Sequence, residues 1–566
     1  MPPTKPVRLG DLLLAEGIIT QDQLDIALIE QKASGEQLGR VLVKLGFVDA
    51  EVLRDQLGQS LQQVSLNLKQ ILPDPSVLAM VDKALARELK AVPVAFNAGK
   101  NLLTVAMVDT FDIRIIDRLA AAIGNTVQIE PALSSETDLE EALDRFYGFD
   151  LSIDGILREL EQIGKIDADE LNRTENTHPM IRLVDSLLLD AVKREASDIH
   201  FEPEEKYLRI RYRIDGVLRQ IRSLHQKFWS PMAVRLKVIS GMDIAETRLP
   251  QDGRISLSIG THEIDFRVAS QPTLHGENIV LRILDRKKGI VPLDKLQLNQ
   301  HAFTQLHLML ARPEGIILVT GPTGSGKTTT LYSMLNHLNT ESVNIMTLED
   351  PVEYPMAMIR QSSLNPALKM DFAGGIRSLM RQDPDIILVG EIRDGDTATM
   401  AFRAAMTGHK VFSTLHTNSA VASFARLQDI GVQNSILTSN IVGIIAQRLI
   451  RKLCSHCKQA YDADDLECRL LGLAPASRPT LYRAQGCERC GRTGYKGRMA
   501  IMEILRIDAG LDNLIARGAT PHEIERQAVA HGFRTLADEG IVKVADGSTS
   551  LDELSRIVDL THRLAL

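Results

Sequence analysis

The chain has 566 residues, of which 44% are hydrophobic and 24% are charged, and its formal net charge is −8. These values are typical of a globular protein with roughly three to five domains. No window approaches the roughly 20 apolar residues that cross a bilayer, and the first residues lack the apolar core of a signal peptide. We therefore expect a cytoplasmic protein that reaches a membrane only through partners. The acidic balance argues against a nucleic-acid motor, whose tracking surface would be basic.

Residues 1–60 contain an internal repeat in which the second unit follows the first by 29 positions. The matched positions are Arg8–Leu13 with Gln37–Leu42, Gly17 with Gly46, Ile19 with Val48, Leu24 with Leu53, and Leu28 with Leu57. Each unit has the pattern of a short helix, a turn closed by glycine and a second amphipathic helix. We expect the two units to pack together as a small helical domain.

Residues 61–148 have the pattern of a small α/β domain. Alternating apolar residues predict strands at Ala91–Phe96 and Leu102–Met107, and helical spacing predicts a helix at Ile113–Ile123. Residues 149–176 are rich in acidic side chains, and we interpret them as a partly helical linker.

A second α/β domain is predicted at residues 177–290, where the strand Tyr207–Ile214 runs into an Asp215-Gly216 turn. This domain is rich in arginine, and the candidates among its arginines are Arg209, Arg211, Arg213, Arg235, Arg248, Arg254, Arg267 and Arg282. Two interpretations stay open for them. They form a solvated face of strands, or some of them reach a bound nucleotide in the same chain or a neighbouring one.

A nucleotide domain is predicted at residues 291–508, because Gly321–Thr328 matches the P-loop pattern. An apolar strand, Gly315–Thr320, precedes this loop and a helical pattern, Thr329–Leu338, follows it. Backbone N–H groups of such a loop cradle phosphates, Lys327 adds a positive charge and Thr328 supplies a hydroxyl for Mg²⁺. The candidate phosphate-binding residues are Gly321, Pro322, Thr323, Gly324, Ser325, Gly326, Lys327, Thr328 and Thr329.

Two further apolar strands end in carboxylates, which a P-loop enzyme needs to hold Mg²⁺ and to orient water. The strand Ile386–Val389 leads to Glu391, our candidate for supporting Mg²⁺. The strand that begins at Ile345 leads to Glu349, our first candidate for orienting the attacking water, with Glu353 second. His416 follows another core-like strand and is a candidate sensor of the γ-phosphate, although a lone histidine is more often structural.

Cys454, Cys457, Cys487 and Cys490 form two C-x₂-C pairs, which predict a structural tetrahedral zinc site within residues 454–490. The alternative is four free thiols. Cys468 has no partner pattern and is expected to be a free thiol, and His456 is not expected to be a ligand. Residues 509–566 have a helical pattern and are expected to form a C-terminal helical region.

Together these motifs resemble the secretion ATPase superfamily that powers type II secretion and type IV pilus assembly. Four boxes of that family occur in order, at 321–328 (Walker A), 347–353 (Asp box), 386–391 (an atypical Walker B) and 407–418 (His box). Flanking signatures match at 196–203, 249–254, 446–449 and 493–498, so the resemblance covers nearly the whole chain.

The resemblance implies a multidomain α/β protein in which a PAS-like second N-terminal domain and a RecA-like P-loop domain hold ATP between them. It also implies a homohexameric ring, with Arg254, Arg267 and Arg282 at the positions of arginines that approach the phosphates. The zinc knuckle and the long N-terminal region match the assembly and secretion branches rather than the retraction motors. Hydrolysis in these branches drives pilin or pseudopilin assembly through an inner-membrane platform protein.

The repeat resembles a cyclic di-GMP-binding domain of some pilus-assembly ATPases. This resemblance implies ligand contacts at Arg8, Leu9, Gly10, Gln31, Leu38 and Gly39. The second unit departs from the pattern at Gln37 and Ser60, and Gln cannot supply the charge of an arginine. The alternative is a helical module that docks on a membrane-anchored partner.

The repeat favours a type IV pilus motor, with a type II secretion motor as the alternative. Two other classes of function are a cyclic di-GMP receptor whose ATPase output is regulatory, and a nucleic-acid translocase on a RecA-like core. The acidic balance of the chain weighs against the translocase.

Overall fold

A computed structural model describes residues 9–34, 38–49, 52–53, 63–124, 126–147, 153–163, 178–259, 262–285, 290–364 and 371–564. The chain divides into two compact units, Met1–Lys287 and Lys288–Leu566. Across these described ranges, no helix combines the length and the apolar character that a bilayer span requires.

The N-terminal repeat is visible in three helices, α1 (Leu9–Ala15), α2 (Gln21–Ser34) and α3 (Leu38–Lys44). Helices α1 and α3 end in the same way, because Gly17 and Gly46 have φ angles of 68° and 70°, a region that glycine adopts without strain. The N–H of Ile18 donates to Leu13 O over 2.9 Å, and 29 positions later the N–H of Phe47 donates to Leu42 O over 3.0 Å. The two units therefore share one helix end where they are described, while the second helix of the second unit is described only at Val52 and Leu53 and the tandem repeat stays a prediction. Arg8, Gln37, Leu57 and Ser60 lie outside the described residues.

The small α/β domain follows. Its elements are β1 (Ile71–Leu72), α4 (Pro75–Leu78), α5 (Lys83–Leu89), β2 (Ala91–Asn97), β3 (Leu102–Met107), α6 (Ile113–Ile123), β4 (Gln128–Leu133) and α7 (Glu136–Tyr147). Strands β2 and β3 form an antiparallel hairpin, and α6 crosses over to bring β4 parallel to β3. The two predicted strands and the predicted helix are confirmed. Strand β1 leaves this sheet and pairs elsewhere.

The next elements form a second α/β layer. They are α8 (Ile153–Ile163), α9 (Pro179–Lys193), β5 (Ala196–Pro203), β6 (Tyr207–Ile214), β7 (Val217–His225), α10 (Trp229–Ser240), β8 (Gln251–Ile259), β9 (His262–Thr273) and β10 (Gly276–Asp285). The sheet has the strand order β1-β8-β9-β10-β5-β6-β7, and every pair is antiparallel except β1 with β8. The turn between β6 and β7 has positive φ at Asp215 and Gly216, as a tight type I′ hairpin requires.

Helix α8 lies inside the segment interpreted as a linker, and it packs as a core element. Ile156 and Leu160 are fully buried, and they join α9 and the sheet in one hydrophobic cluster. Arg182 on α9 is also buried and donates to Glu159 Oε1 over 2.6 Å. The segment was interpreted as a linker because it is rich in acidic residues. It also contains an apolar stripe at Ile153, Ile156 and Leu160, and this stripe packs α8 against the domain.

The second unit contains a seven-stranded sheet with the order β13-β12-β14-β15-β11-β16-β19. Its strands are β11 (Gly315–Thr320), β12 (Ile345–Glu349), β13 (Arg360–Ser363), β14 (Ile386–Val389), β15 (Lys410–Leu415), β16 (Ile441–Leu453) and β19 (Tyr495–Arg506), with a separate hairpin of β17 (Gln459–Asp462) and β18 (Thr480–Arg483). All neighbours in the large sheet are parallel except β16 with β19. The carboxyl ends of the parallel strands therefore meet at one edge, where ligands bind in this class of fold.

The helices of this unit are α11 (Gln300–Leu310), α12 (Lys327–Leu338), α13 (Phe372–Leu379), α14 (Gly395–Met406), α15 (Ala422–Asp429), α16 (Asn434–Leu437), α17 (Asp465–Leu470), α18 (Ala509–Ala516), α19 (Pro521–Ala530), α20 (Leu536–Ala545) and α21 (Leu551–Ile557). The C-terminal helices were expected as a region of their own, and they are helical. They share two hydrophobic cores with the nucleotide domain. Leu511 and Ile524 pack under the large sheet, whereas Leu536 and Leu554 pack against the β17–β18 hairpin region.

Candidate nucleotide site and cysteine cluster

The P-loop lies between β11 and α12 and depends on glycine at two close approaches. Gly321 and Gly326 have φ angles of 144° and 89°, where an L side chain is strained. A Cβ atom on Gly321 would lie 2.5 Å from Gln447 O, and one on Gly326 would lie 2.8 Å from Gln447 Nε2. Both glycines are therefore required by the backbone conformation and by a single neighbouring residue.

Gln447 supports this loop from β16. Its side chain is buried, its Nε2 donates to Ser325 O over 2.7 Å, and its Oε1 accepts from Thr330 Oγ1 over 2.7 Å. One amide thus connects the loop to the first turn of α12. In the sequence, Gln447 stands out only as a member of the 446–449 signature. Its contact with the loop joins residues that lie more than a hundred positions apart, so no local pattern indicates it.

Lys327 begins helix α12, and its Nζ donates to Gly321 O over 2.8 Å and to Pro322 O over 3.1 Å. Burial lowers the pKa of Lys327, while the neighbouring Glu391 carboxylate acts in the opposite direction and Arg448 adds to the lowering. The charge of Lys327 is therefore influenced by the carboxylate of Glu391 and by the guanidinium group of Arg448.

Glu391 follows β14 and connects two predicted site residues. Its Oε2 lies 3.4 Å from His416 Nε2, and it interacts electrostatically with Lys327. Arg393 Nη2 donates to Glu391 Oε1, and this hydrogen bond raises the pKa of Arg393. The structure therefore brings Lys327, Glu391 and His416 together at the carboxyl edge of the sheet. Arg393 was not identified from the sequence.

Glu349 ends β12 and is buried. Thr347 Oγ1 donates to Glu349 Oε1 over 2.6 Å, Gln361 Nε2 donates to the same oxygen over 3.3 Å, and Tyr332 OH donates to Oε2. Burial raises the pKa of Glu349, and these three donors oppose the rise. Its carboxylate is thus positioned by the domain itself on both oxygens. Glu353 is partly buried in the segment that follows.

The segment 416–420, which follows β15, is hydrogen-bonded to the end of β11. Thr320 Oγ1 donates to Leu415 O over 3.1 Å and accepts from the N–H of Thr417 over 2.9 Å. Arg448 Nη2 donates to Asn418 Oδ1 over 3.0 Å from the other side. The position of His416 is therefore set by contacts from two neighbouring strands, β11 and β16.

The three predicted arginines form a row across the first unit's large sheet. Arg254 on β8 is opposite Arg267 on β9, and Arg267 is opposite Arg282 on β10. Directly opposed residues share a face of the sheet, so the three guanidinium groups lie on one side. Arg254 Nη2 is 2.8 Å from Asp265 Oδ2, and Arg282 Nε is 3.3 Å from Asp198 Oδ1. More than half of the side chains of Arg254 and Arg282 is exposed.

The four predicted zinc ligands converge. Their sulfur atoms all lie within 4.8 Å of one another, and the separations are 3.9 Å for Cys454–Cys487, 3.8 Å for Cys457–Cys490 and 3.7 Å for Cys487–Cys490. A tetrahedral ion with bonds of about 2.3 Å places sulfurs roughly 3.8 Å apart, so the cluster fits zinc. The N–H groups of Cys487 and Gly494 each donate to Cys490 Sγ over 3.2 Å, as a thiolate ligand favours. Cys468 is buried in a separate apolar core.

The residues proposed to contact cyclic di-GMP have packing roles where they are described. Leu9 and Leu38 pack against the core of the repeat. A Cβ atom on Gly10 would lie 2.8 Å from Leu24 Cδ1, and one on Gly39 would lie 3.0 Å from Leu53 Cδ2. Gln31 is partly exposed on α2, and Arg8 lies outside the described residues.

Comparison with known proteins covers both halves of the chain. A family model described as "Type II/IV secretion system protein" matches residues 173–556, and one described as "MshEN domain" matches residues 60–153. The second match lies on the small α/β domain and not on the repeat before it.

Two relatives align along nearly the whole chain. The type IV pilus assembly ATPase PilB of Myxococcus xanthus is 39% identical over 558 residues, which cover 97% of this chain and 98% of that protein. The type II secretion system protein E of Xanthomonas campestris is 39% identical over 565 residues, which cover 98% of each.

The solved structure of the Yersinia pseudotuberculosis ATPase DotB superposes on this chain with a TM-score of 0.52. The superposition covers 67% of this chain and 93% of DotB. The two sequences are 21% identical in this match, so the likeness is one of fold alone. Since the family model spans more than half of the chain and both relatives align from end to end, this chain belongs to the type II/IV secretion system protein family.

Proposed function

We propose that this protein is an ATP-hydrolysing motor that powers type IV pilus assembly. The observation that carries the proposal is the convergence of the P-loop, Glu391 and His416 at one edge of the parallel sheet, in a chain that aligns from end to end with a pilus assembly ATPase. Phosphoryl transfer requires positioning and charge stabilisation more than covalent chemistry from the protein, and this edge supplies both.

In this proposal each predicted residue has a role. Lys327 and the loop N–H groups hold the phosphates of ATP, Thr328 and Glu391 hold Mg²⁺, and His416 senses the γ-phosphate. Mg²⁺ would neutralise the charge that develops on the phosphate oxygens. Glu349 orients the attacking water, and its raised pKa suits a group that accepts a proton. Glu349→Gln is therefore expected to lower kcat more than Glu353→Gln does.

The row of Arg254, Arg267 and Arg282 is proposed to stabilise the phosphates from a neighbouring domain. This role fits a chain in which residues 177–290 form a PAS-like second N-terminal domain and residues 291–508 form a RecA-like ATPase domain. A homohexameric ring at the cytoplasmic face of the inner membrane would pass the resulting motion to a platform protein. Aspartates already hold Arg254 and Arg282 in place at one end, which limits the entropy lost when their guanidinium groups engage phosphate.

A type II secretion motor is the second candidate, and a specific observation favours it. The Xanthomonas campestris secretion protein aligns over the N-terminal region as fully as the pilus ATPase does. Alignment over the N-terminal region therefore does not by itself separate the two machines.

The test is complementation of a deletion strain with the wild-type chain and with Lys327→Ala. We expect pili and purified-protein ATP hydrolysis to be restored by the wild type and lost in Lys327→Ala, since the loop loses its phosphate-binding charge. Secretion of exported enzymes is measured in the same strains. A strain that keeps its pili but loses secretion would replace the first candidate with the second, and pili restored by Lys327→Ala would defeat the motor altogether.

Two cofactor proposals have separate tests. Zinc is expected at one ion per chain and is expected to be lost in Cys490→Ser, with a lower melting temperature because the ion's binding energy contributes to folding.

Cyclic di-GMP is proposed to bind the repeat. Calorimetry on the full chain should show binding that Arg8→Ala removes and that Gln37→Arg strengthens, because the latter restores the charge that the second unit lacks. Absence of binding in both the wild-type chain and Gln37→Arg would favour a docking role for the repeat.

A further inference from the structure

Glu503 is a buried carboxylate to which neither the sequence motifs nor the proposed mechanism gives a role. It lies on β19, opposite Ala446 of β16, and its residue exposure is only 3%. A buried ionised group costs several kcal/mol unless hydrogen bonds compensate for it, so its partners indicate why it is there.

Those partners belong to two different elements. Glu503 Oε1 accepts from the N–H of Ala420 over 2.5 Å, and Glu503 Oε2 accepts from the N–H of Leu536 over 2.9 Å. Ala420 closes the segment 416–420 that carries His416, whereas Leu536 is the first residue of helix α20. A carboxylate at a helix N-terminus is also stabilised by the helix dipole. One side chain therefore joins the candidate γ-phosphate segment to the C-terminal helices.

The other contacts of the segment lead to the nucleotide site. Thr417 is fastened to Thr320 at the end of β11, His416 lies beside Glu391, and Asn418 accepts from Arg448. Glu503 holds the opposite end of the same segment. A shift at either Ala420 or Leu536 would therefore reach the other through a single buried side chain on β19, the strand at one edge of the sheet.

We propose that Glu503 is a positioning residue of the nucleotide site, which fixes the segment 416–420 and couples it to the N-terminus of α20. The inference rests on the proposed function, because the segment matters only if it faces a bound nucleotide. Helix α20 then responds to the state of the γ-phosphate.

The amide variant tests this coupling. In Glu503→Gln one acceptor oxygen becomes an NH₂ group that faces a backbone N–H, so one of the two bonds is replaced by a clash of donors. Burial raises the pKa of Glu503 to about 7, with the two backbone N–H donors, Arg448 and Glu525 also acting on it. The assays therefore use the full chain at about pH 8, where the carboxylate is ionised.

We expect kcat for ATP hydrolysis to fall about tenfold in Glu503→Gln, which corresponds to the loss of one buried charged hydrogen bond. Affinity for a non-hydrolysable ATP analogue should fall more than affinity for ADP, because the segment is placed at the γ-phosphate. The control is Glu553→Gln. Glu553 is equally buried and accepts from the N–H of Arg451 over 3.1 Å, but its hydrogen bonds go to Arg451 and Arg556 and not to the segment 416–420.

Equal kinetic losses in Glu503→Gln and Glu553→Gln would mean general destabilisation and would overturn the proposal, as would unchanged kinetics in Glu503→Gln. Hydrogen exchange on the wild type gives a second test that does not depend on the variant folding. The ATP analogue should protect the amides of residues 416–421 and of residues 535–540 together. Protection of the first segment alone would overturn the coupling. An inactive wild-type chain would instead count against the proposed function.

Discussion

Glycine-containing motifs occur in two regions of this chain, the N-terminal repeat and the P-loop, and the two have different physical explanations. In the repeat, Gly10 and Gly39 are at helix contacts where a Cβ would meet Leu24 or Leu53. In the P-loop, Gly321 and Gly326 have positive φ and lie against Gln447. A glycine shared with a ligand-binding motif therefore does not by itself indicate a ligand, because packing alone explains Gly10 and Gly39.

The largest effect is expected for Gly326→Ala in the P-loop. A strained φ and a 2.8 Å contact with a buried side chain together cost about 3 kcal/mol, or roughly a hundredfold in ATP hydrolysis. The matched control is Gly324→Ala, where φ is also positive but no atom lies within 4 Å of the added Cβ. It should lose only about tenfold. Equal losses would show that backbone strain, and not Gln447, sets the requirement.

Gln447→Ala tests the contact between the P-loop and the Gln447 side chain by removing that side chain. It leaves Ser325 O and Thr330 Oγ1 without their shared partner, which costs about 2 kcal/mol, or roughly thirtyfold in kcat/KM for ATP. Gln447→Glu keeps the shape and the acceptor for Thr330 but cannot donate to Ser325. Steady-state kinetics on both should show losses, and full activity in Gln447→Glu would remove the bond to Ser325 from the explanation.

Gly10→Ala and Gly39→Ala test the repeat. Gly10→Ala should destabilise the repeat by about 1.5 kcal/mol, because overpacking against Leu24 outweighs the roughly 1 kcal/mol that alanine gains in helix propensity. Gly39→Ala should cost less, because its nearest contact is at 3.0 Å, and ATP hydrolysis should change less than about twofold in both. Hydrogen exchange of the repeat in the full chain measures the local stability. A hydrolysis defect without faster exchange would contradict a packing role for these glycines.

The smallest effect is expected for Gly17→Ala and Gly46→Ala. Both glycines end a helix with positive φ, and no atom lies within 4 Å of the added Cβ, so only backbone strain of about 1 kcal/mol remains. Exchange rates in the repeat should rise by a similar factor in the two variants, because the two units share one geometry. A large difference between them would show that the units are not equivalent.

The elements that could be predicted from the sequence are those with local signals. The strand Leu102–Met107, the helix Ile113–Ile123 and the strand before the P-loop were found with the bounds the structure has, because periodicity and glycine punctuation are local. The cysteine pairs were also predicted to converge, since their spacing carries the geometry of a metal site.

The parts that could not be predicted depend on tertiary contacts. Gln447 and Glu503 contact the site from distant strands, and no local pattern distinguishes them from other polar residues on a strand. The alignment of Arg254, Arg267 and Arg282 depends on strand register, which three separate segments decide together. The hydrogen bonding of Glu349 depends likewise on Tyr332 and Gln361, which belong to other elements.

Strand β1 bears on how modules can be exchanged among relatives of this protein. Ile71 and Leu72 precede the small α/β sheet, yet they pair with Ser258 and Ile259 at the end of β8, the strand that carries Arg254. A recombination point placed between the two α/β domains would expose that end of β8, and open strand edges invite association between molecules. A viable exchange must therefore carry residues 71–72 together with β8 or supply another cover for that end of β8.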